Sequence, residues 1–201
     1  MSNYILALDQ GTTSSRSLLI DKNSKIISKS QKEFKQIFPK PSWVEHDPIE
    51  IWESQLYTVK EVIKNSSVDL NDIYGIGITN QRETVIAFDA NTGKPVFNAI
   101  VWQCRRTSEY CNELKPKYRK LIKEKTGLEI DAYFSASKIK WIIDNIPEVK
   151  SLIKNKSLRF ATVDAWLVWN LTGGKSFFTD LSNASRTMLF NIKELKYDEE
   201  L

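Results

Sequence analysis

A short polar turn enclosed by two apolar runs constrains the fold more than any other feature of the sequence. The polar segment is Asp9-Gln10-Gly11-Thr12-Thr13-Ser14-Ser15-Arg16, and it lies between the mostly apolar residues 4–8 and 17–20. Each run has the length and composition of a β-strand. The sequence therefore begins with a predicted β-hairpin that has residues 9–16 at its turn.

The residue types in this turn suit the binding of phosphate. Glycine lets the backbone approach an anion, while hydroxyls and successive N–H groups donate to phosphate oxygens. The carboxylate of Asp9, at the end of a strand, can hold Mg²⁺ directly or through water. A polar hairpin turn that binds nothing is the alternative, since these residues are also common in ordinary turns. The GxxxxGK[ST] motif is absent and residues 75–80 lack the third glycine of GxGxxG, so neither a P-loop nor a Rossmann site is expected.

Length and charge favour a globular protein without a nucleic-acid surface. With 201 residues the chain can bury a sizeable core in one domain, or one and a half. Its 29 basic and 25 acidic residues give a net charge of +4, and the lysines are scattered through amphipathic segments. The most basic stretch, residues 115–125, is interrupted by Pro116 and Glu124. We therefore predict that it is a solvated face.

The cysteines and the histidine are expected to be structural. Cys104 and Cys111 are seven residues apart in a predicted helix, or about 10.5 Å along its axis, which is too far for a disulfide. His46 has no Cys or His at metal-ligand spacing. The sequence has neither an apolar signal segment nor a run of 18 apolar residues. Together these features predict a soluble, cytoplasmic protein with reduced thiols.

The first part of the chain predicts three antiparallel strands followed by a helix. Residues 25–30 continue the strand-like composition after the hairpin. Asp47 is the predicted N-cap of the helix, with Pro48 at its first position and Glu50 placed for a capping box. Apolar residues then recur at helical spacing to about residue 65.

The remainder alternates predicted strands and helices, which indicates an α/β domain with a mixed sheet and helices on both faces. The predicted strands are a buried one at 74–79 and three more at 85–89, 99–102 and 158–163. The predicted helices are 104–113 ended by Pro116, 118–125, one capped by Ser135 and closed by Pro147, and 165–171 capped by Asp164.

Four segments of the chain resemble glycerol kinases, which belong to the carbohydrate kinases with the actin-like, ribonuclease-H-like ATPase fold. These segments are DQGTTSSR at 9–16, WVEHDP at 43–48, ITNQRET at 78–84 and IVWQCRR at 100–106. TGLEIDAYFS at 126–135 and NASRTMLFN at 183–191 extend the resemblance almost to the last residue. The resemblance implies Mg²⁺-dependent transfer of the ATP γ-phosphoryl group to glycerol, giving glycerol 3-phosphate.

The resemblance also implies roles for individual residues. The expected ATP ligands are Thr12, Thr13 and Ser14 as phosphate donors, Asp9 toward Mg²⁺ and Arg16 toward the phosphates. The expected glycerol ligands are Arg82, Glu83 and Tyr133, with Trp102 as an apolar wall. Without the resemblance, Arg82 and Glu83 would be interpreted as a solvated pair in a loop. Tyr133 and Trp102 would be interpreted as core or boundary aromatics.

The chain departs from the family pattern in two ways. Ala132 and Ala136 stand where the family usually has proline and glycine, on either side of Tyr133. The family's catalytic aspartate and adenosine-binding domain are expected beyond Leu201, so residues 1–201 are interpreted as an incomplete N-terminal domain that is inactive alone. A complete enzyme is expected to be a homo-oligomer. The alternatives are a kinase for a pentulose or sugar acid and a noncatalytic polyol-binding or assembly module.

Overall fold

The computed structural model describes residues 3–201, which form a mixed α/β fold. The strands are β1 Tyr4–Gln10, β2 Ser14–Asp21, β3 Ile26–Glu33, β4 Glu45–His46, β5 Ile73–Asn80, β6 Ile86–Asp89, β7 Lys94–Pro95, β8 Ala99–Ile100, β9 Leu158–Ala161, β10 Phe190–Asn191 and β11 Lys196–Tyr197. The helices are α1 Pro48–Ser66, α2 Ser108–Thr126, α3 Ser135–Asn145, α4 Pro147–Lys154, α5 Val163–Leu171 and α6 Leu181–Ala184, with a 3₁₀ turn at Leu70–Asp72.

The chain divides into two compact units, and the first contains the predicted hairpin. This unit comprises described residues 3–36 together with 47–81. Its sheet has the strand order β3-β2-β1-β5, in which β1, β2 and β3 are antiparallel and β5 runs parallel to β1. The structure confirms the predicted hairpin, the third strand and the mixed sheet.

Helix α1 packs on one face of this sheet through apolar and polar contacts. Alternate positions of β1 and β2 are buried, and Leu8 pairs with Ser17 in register. The hydroxyl of Ser17 is 2.8 Å from that of Thr58 on α1, and the amide nitrogen of Gln55 donates to the Ser17 hydroxyl. Hydrogen bonds therefore align α1 with β2 where apolar packing alone would allow sliding.

Only half of the predicted capping box is present at the start of α1. The carboxylate of Asp47 accepts a hydrogen bond from the backbone N–H of Ile49, as an N-cap should. Glu50 does not complete the box, because its carboxylate accepts from the backbone N–H of Lys35. The glutamate thus fixes the segment after β3 to the first turn of α1.

The prediction that residues 74–79 form a buried strand was wrong about burial. Strand β5 has a strand neighbour on one side only within residues 3–201, and its side chains alternate between partly buried and exposed. Tyr74 and Ile76 are among the exposed apolar side chains. Apolar composition indicated the strand correctly but could not indicate its place at the sheet edge.

The second unit comprises residues 37–46 and 82–201. It contains a three-stranded sheet of order β7-β6-β9 and the short ladders β4-β8 and β10-β11. A buried cluster includes Val85 just before β6, Ile100 of β8 and Ile142 of α3. The stretch just before β6 therefore lies against the core of this unit.

Of the two helix boundaries that were predicted at proline, the one at Pro116 was wrong and the one at Pro147 is confirmed. Helix α2 continues through Pro116 from Ser108 to Thr126, and most of its surface is exposed, so water can bind a carbonyl that lacks an intrahelical partner. Helix α3 ends at Asn145, just before Pro147, and Pro147 then starts helix α4, where its missing N–H has no cost. The helix predicted to start at Cys104 starts at Ser108, so Cys104 precedes the helix that contains Cys111. Both thiols are buried and free.

Two predicted helix caps were also wrong. Ser135 is the first helical residue of α3, and its hydroxyl donates to the carbonyl of Glu83. Thr162 occupies the cap position of α5, while Asp164 lies in the first turn, buried, and accepts from the Thr179 hydroxyl. Both side chains form hydrogen bonds with residues distant in sequence and therefore do not cap their helices. Among residues 3–201 no helix is long and apolar enough to cross a membrane.

His46 makes folding stability depend on pH, because burial lowers the pKa of its imidazole to about 4. The unfolded chain binds the proton more tightly, so this contribution is complete above pH 6.5 and is lost as the pH falls toward 4. Between pH 7 and pH 5 we expect the parent to lose about 2 kcal/mol more unfolding free energy than His46→Gln. Urea titrations at both pH values measure this difference, and equal losses would contradict the assignment.

Candidate functional site

The phosphate turn, residues 9–16, is a tight β-hairpin turn in the first unit. The backbone N–H of Gly11 donates to the carbonyl of Ser14 at 2.9 Å, and Asp9 pairs with Arg16 in the ladder. A Cβ atom at Gly11 would lie 3.1 Å from that carbonyl oxygen, which is closer than ordinary contacts. A side chain at this position would therefore have to displace the Ser14 carbonyl by a few tenths of an ångström. The predicted hairpin turn over residues 9–16 is confirmed.

Two buried amides hold the backbone of the phosphate turn. The side-chain nitrogens of Gln10 and Gln81 both donate to the carbonyl of Gly11, at 2.9 and 3.1 Å. Gln81 also donates to the side-chain oxygen of Gln10, and its backbone N–H donates to the Gln10 carbonyl. Because these bonds use the carbonyl side of the turn, its conformation is fixed before any ligand binds.

The side chains predicted to contact phosphate and metal lie on an accessible face of the hairpin. Arg16 donates to the side-chain oxygen of Gln31 and lies 3.7 Å from the carboxylate of Asp9, with both charged groups nearly half exposed. The hydroxyl of Ser14 accepts from Gln31. Since Mg²⁺ is commonly held by one or two carboxylates together with substrate phosphates, a single accessible carboxylate beside the turn fits that ion.

In the second unit, Glu83 is a buried carboxylate to which the other predicted site residues of this unit are connected. Its side chain is 3% exposed, and the Nε of Arg186 donates to its Oε1 at 2.6 Å. The backbone of Glu83 has φ of +64°, a left-handed conformation that is strained for a residue with a side chain. Both features indicate that the surrounding structure determines where this carboxylate lies.

Arg186 was not among the predicted site residues, although it lies in the matched segment NASRTMLFN. Besides Glu83, its guanidinium lies over the ring of Phe134 at 4.9 Å and near that of Tyr133 at 5.8 Å. One side chain thus joins the predicted carboxylate to the predicted phenol. Its position in an apparently ordinary polar segment gave no separate indication of this contact.

The side chains of Trp102 and Tyr133, two of the predicted site residues, lie in contact. Their ring centroids are 5.5 Å apart in an edge-to-face arrangement. The backbone N–H of Trp102 donates to the hydroxyl of Thr84, the residue after Glu83. Arg82 is exposed, and no side-chain partner of it occurs among residues 3–201. Its guanidinium is therefore available to a ligand.

A carboxylate that is itself paired with an arginine holds the turn that presents Tyr133. Asp131 accepts from the backbone N–H of Tyr133 at 2.8 Å and receives two hydrogen bonds from Arg105. The hydrogen bond from Arg105 holds the pKa of the Asp131 carboxyl below its usual value. The carboxylate thus remains charged and continues to hold this turn at mildly acidic pH.

The predicted residues therefore form two groups. Asp9, Thr12, Thr13, Ser14 and Arg16 share the hairpin of the first unit. Glu83, Trp102 and Tyr133 are connected through aromatic contacts and Arg186 in the second, with Arg82 preceding Glu83 in the chain. The chemistry available is anion binding in the first group and hydrogen bonding beside an aromatic surface in the second.

Comparison with protein families and curated proteins gives consistent matches. The model of the FGGY family of carbohydrate kinases, N-terminal domain, matches residues 4–201. "Glycerol kinase 2" of Thermotoga maritima is 58% identical over 199 residues, which are 98% of this chain and 40% of that protein. Glycerol kinase of Caldanaerobacter subterraneus subsp. tengcongensis is 57% identical over 202 residues, covering 100% of this chain and 41% of its own length. The chain thus spans about two fifths of the length of these relatives.

Solved structures agree with this fold. The crystal structure of Plasmodium falciparum glycerol kinase with ADP matches with a TM-score of 0.92 and 41% identity, over 99% of this chain and 40% of that one. A xylulose kinase from Brucella ovis matches with a TM-score of 0.86 and 23% identity, over 98% of this chain and 40% of its own, which supports the fold alone. The expected fold class, that of the actin-like sugar kinases, is confirmed.

The pairing of Glu83 with Arg186 predicts a large stability effect. Removing the cation by Arg186→Met leaves a buried carboxylate without this partner, so we expect the free energy of unfolding to fall by about 3 kcal/mol. The control is Arg119→Met, which removes an exposed pair with Glu129 and should cost less than about 1 kcal/mol. Urea titrations measure both losses of unfolding free energy. Equal losses for the two variants would show that the buried Glu83 pair stabilises the fold no more than an exposed pair does.

Proposed function

Because this chain belongs to the FGGY family of carbohydrate kinases, we propose that it provides the phosphate-binding turn and the polyol-binding residues of an ATP-dependent glycerol kinase. The observation that supports the substrate best is the cluster in which buried Glu83, paired with Arg186, accompanies the adjoining rings of Trp102 and Tyr133. The curated relatives named glycerol kinase support the same choice.

The polyol assignment follows from matching hydrogen-bond chemistry. Each hydroxyl of glycerol both donates and accepts, so it can be fixed by a guanidinium, a carboxylate and a phenol. Arg82, Glu83 and Tyr133 provide these three groups, and the indole of Trp102 provides an apolar surface for the carbon chain. Since Arg82 is exposed and Glu83 is already held, the polyol would complete a partly assembled site.

The ATP assignment rests on the phosphate turn. Thr12, Thr13 and Ser14 provide hydroxyls, and Arg16 provides a cation on the same hairpin. Asp9 would hold Mg²⁺ together with phosphate oxygens, and the bound ion would neutralise charge on the transferred phosphoryl group.

In the proposed reaction, a terminal hydroxyl of glycerol attacks the γ-phosphorus of ATP. The bond from that phosphorus to the ADP oxygen breaks, and the hydroxyl proton passes to a base that we do not assign within residues 1–201. This chain contributes mainly by positioning both ligands and by binding charge, which are the principal sources of catalysis in phosphoryl transfer. A cytoplasmic location remains a prediction from the cysteines and the apolar pattern of the sequence, and homo-oligomer formation remains an expectation for a complete enzyme.

One experiment separates this proposal from its alternatives. A chimeric kinase is made by joining this chain to the part of the Thermotoga maritima relative that the chain does not cover. It is assayed with ATP, Mg²⁺ and glycerol, xylulose or gluconate, beside the chain alone. Glycerol 3-phosphate as the main product supports the proposal. A preference for one of the other two substrates favours a different sugar kinase, and polyol binding by the chimeric kinase without turnover favours a noncatalytic module.

Arg82 gives the sharpest test of the polyol assignment. Its planar guanidinium can donate to two neighbouring oxygens, whereas lysine offers a compact charge. In the chimeric kinase we expect Arg82→Lys to raise the glycerol KM about tenfold, equivalent to about 1.4 kcal/mol, with the KM for ATP nearly unchanged. Steady-state kinetics with glycerol varied at saturating ATP measure this effect. Arg159→Lys is the matched control, and a parent-like glycerol KM in Arg82→Lys would remove the residue-level argument for a polyol.

Thr12 tests the phosphate assignment separately. Thr12→Val keeps nearly the same volume but removes one hydroxyl donor, so we expect the KM for ATP to rise about fivefold to tenfold. The glycerol KM should change little because the polyol residues are unaltered. Varying each substrate in turn gives both constants, and an equal loss for ATP and glycerol would exclude a specific role for Thr12 in phosphate binding.

A further inference from the structure

Lys138, in the first turn of α3, is completely buried and turns back onto residues 131–134, here called the Tyr133 turn. Its ammonium donates three hydrogen bonds to consecutive backbone carbonyls. The acceptors are the carbonyl oxygens of Ala132 at 2.7 Å, Tyr133 at 2.6 Å and Phe134 at 2.9 Å. Every donor of the ammonium thus has an acceptor in one short segment.

This arrangement is unusual for a lysine. Lysine is seldom fully buried without a carboxylate partner, and a cation near a helix N-terminus is opposed by the helix dipole. Among residues 3–201 no carboxylate is within ion-pair distance of the ammonium. The carbonyl oxygens therefore replace the hydration shell, much as they would around a small dehydrated monovalent cation.

The protonation state of Lys138 is consistent with such a cage. Burial lowers the pKa of its ammonium to about 7, and four groups oppose this shift. The groups facing it are the thiols of Cys104 and Cys111 and the carboxylates of Glu83 and Asp131. Much of the ammonium consequently keeps its charge near neutral pH, where three carbonyls can accept from it.

We propose that Lys138 is the positioning residue of the polyol site, acting as a built-in monovalent cation that fixes the backbone of the Tyr133 turn. Asp131 holds this turn by the N–H of Tyr133, and Lys138 holds it by the carbonyl of the same residue. The two contacts therefore restrict the position of the Tyr133 side chain, which lies beside Trp102. This inference rests on the proposed function, because it assumes that Tyr133 binds the polyol.

The test uses Lys138→Ala in the chimeric kinase, with buffers based on choline. We expect the glycerol KM to rise at least about tenfold, with kcat and the KM for ATP within about twofold of the parent. Millimolar NH₄⁺ or K⁺ should restore the glycerol KM of this variant, because either ion can occupy the vacated carbonyl cage, whereas more choline should not. Lys140→Ala is the matched control, since Lys140 is exposed on the same helix and pairs with Asp144.

A double-mutant cycle shows whether Lys138 acts through the phenol. In a Tyr133→Phe background, Lys138→Ala should raise the glycerol KM by less than about threefold, because the group that it positions is already absent. Fully additive effects would contradict the proposal. Lys138→Met, which keeps the side-chain length, is the second variant if the alanine variant does not fold.

The remaining outcomes are also decisive. If the parent chimeric kinase does not phosphorylate glycerol, the proposed function fails, whatever the variants do. If the parent is active and a folded Lys138 variant has a parent-like glycerol KM, the inference about Lys138 is wrong while the proposed function stands. If neither variant folds with or without NH₄⁺, the lysine supports the whole unit, which also overturns a specific role at Tyr133.

Discussion

The buried carboxylate of Glu83 is the constraint on which the second unit's polar cluster depends. A carboxylate removed from water requires a cation and hydrogen bonds, and Arg186 provides them from a position 103 residues later in the chain. The same guanidinium lies over Phe134, at the end of the Tyr133 turn. A single ion pair therefore fixes three segments that are distant in sequence, and it explains why Glu83 keeps a strained backbone.

The fold was predictable where local pattern and tertiary environment agree. The hairpin of β1 and β2 followed from two apolar runs around one glycine turn, and the fold class followed from the order of strands and helices. Predictions failed where solvent or a distant partner decides the outcome. Pro116 lies inside α2, most of whose surface is exposed to solvent, and the edge position of β5 exposes a strand whose composition indicated burial. Neither circumstance is encoded in a local window.

The residues of the candidate site were proposed chiefly from resemblance, and the residues that hold them in place were not predicted. Arg82, Glu83 and Tyr133 matched a family pattern, whereas nothing local distinguished Arg186. Lys138 did leave a signal, because it stands four residues before Ile142 and so on the apolar face of α3. A lysine in such a stripe needs a buried partner for its charge, but the sequence could not show that three backbone carbonyls are that partner.

The costs of these buried groups suggest how the proposed site would discriminate between substrates. Burying the charges of Glu83 and Lys138 opposes folding, so packing alone would favour apolar residues in their places. Their fixed partners instead orient a carboxylate and a phenol-bearing turn before a ligand arrives. A polar site prepared in this way loses hydrogen bonds when a ligand lacks a hydroxyl, because groups already held in place cannot turn to other partners. Polar groups that are held in place before binding would thus favour a polyol over its deoxy analogues. Their preference would be stronger than any that the shape of an apolar wall such as Trp102 could give.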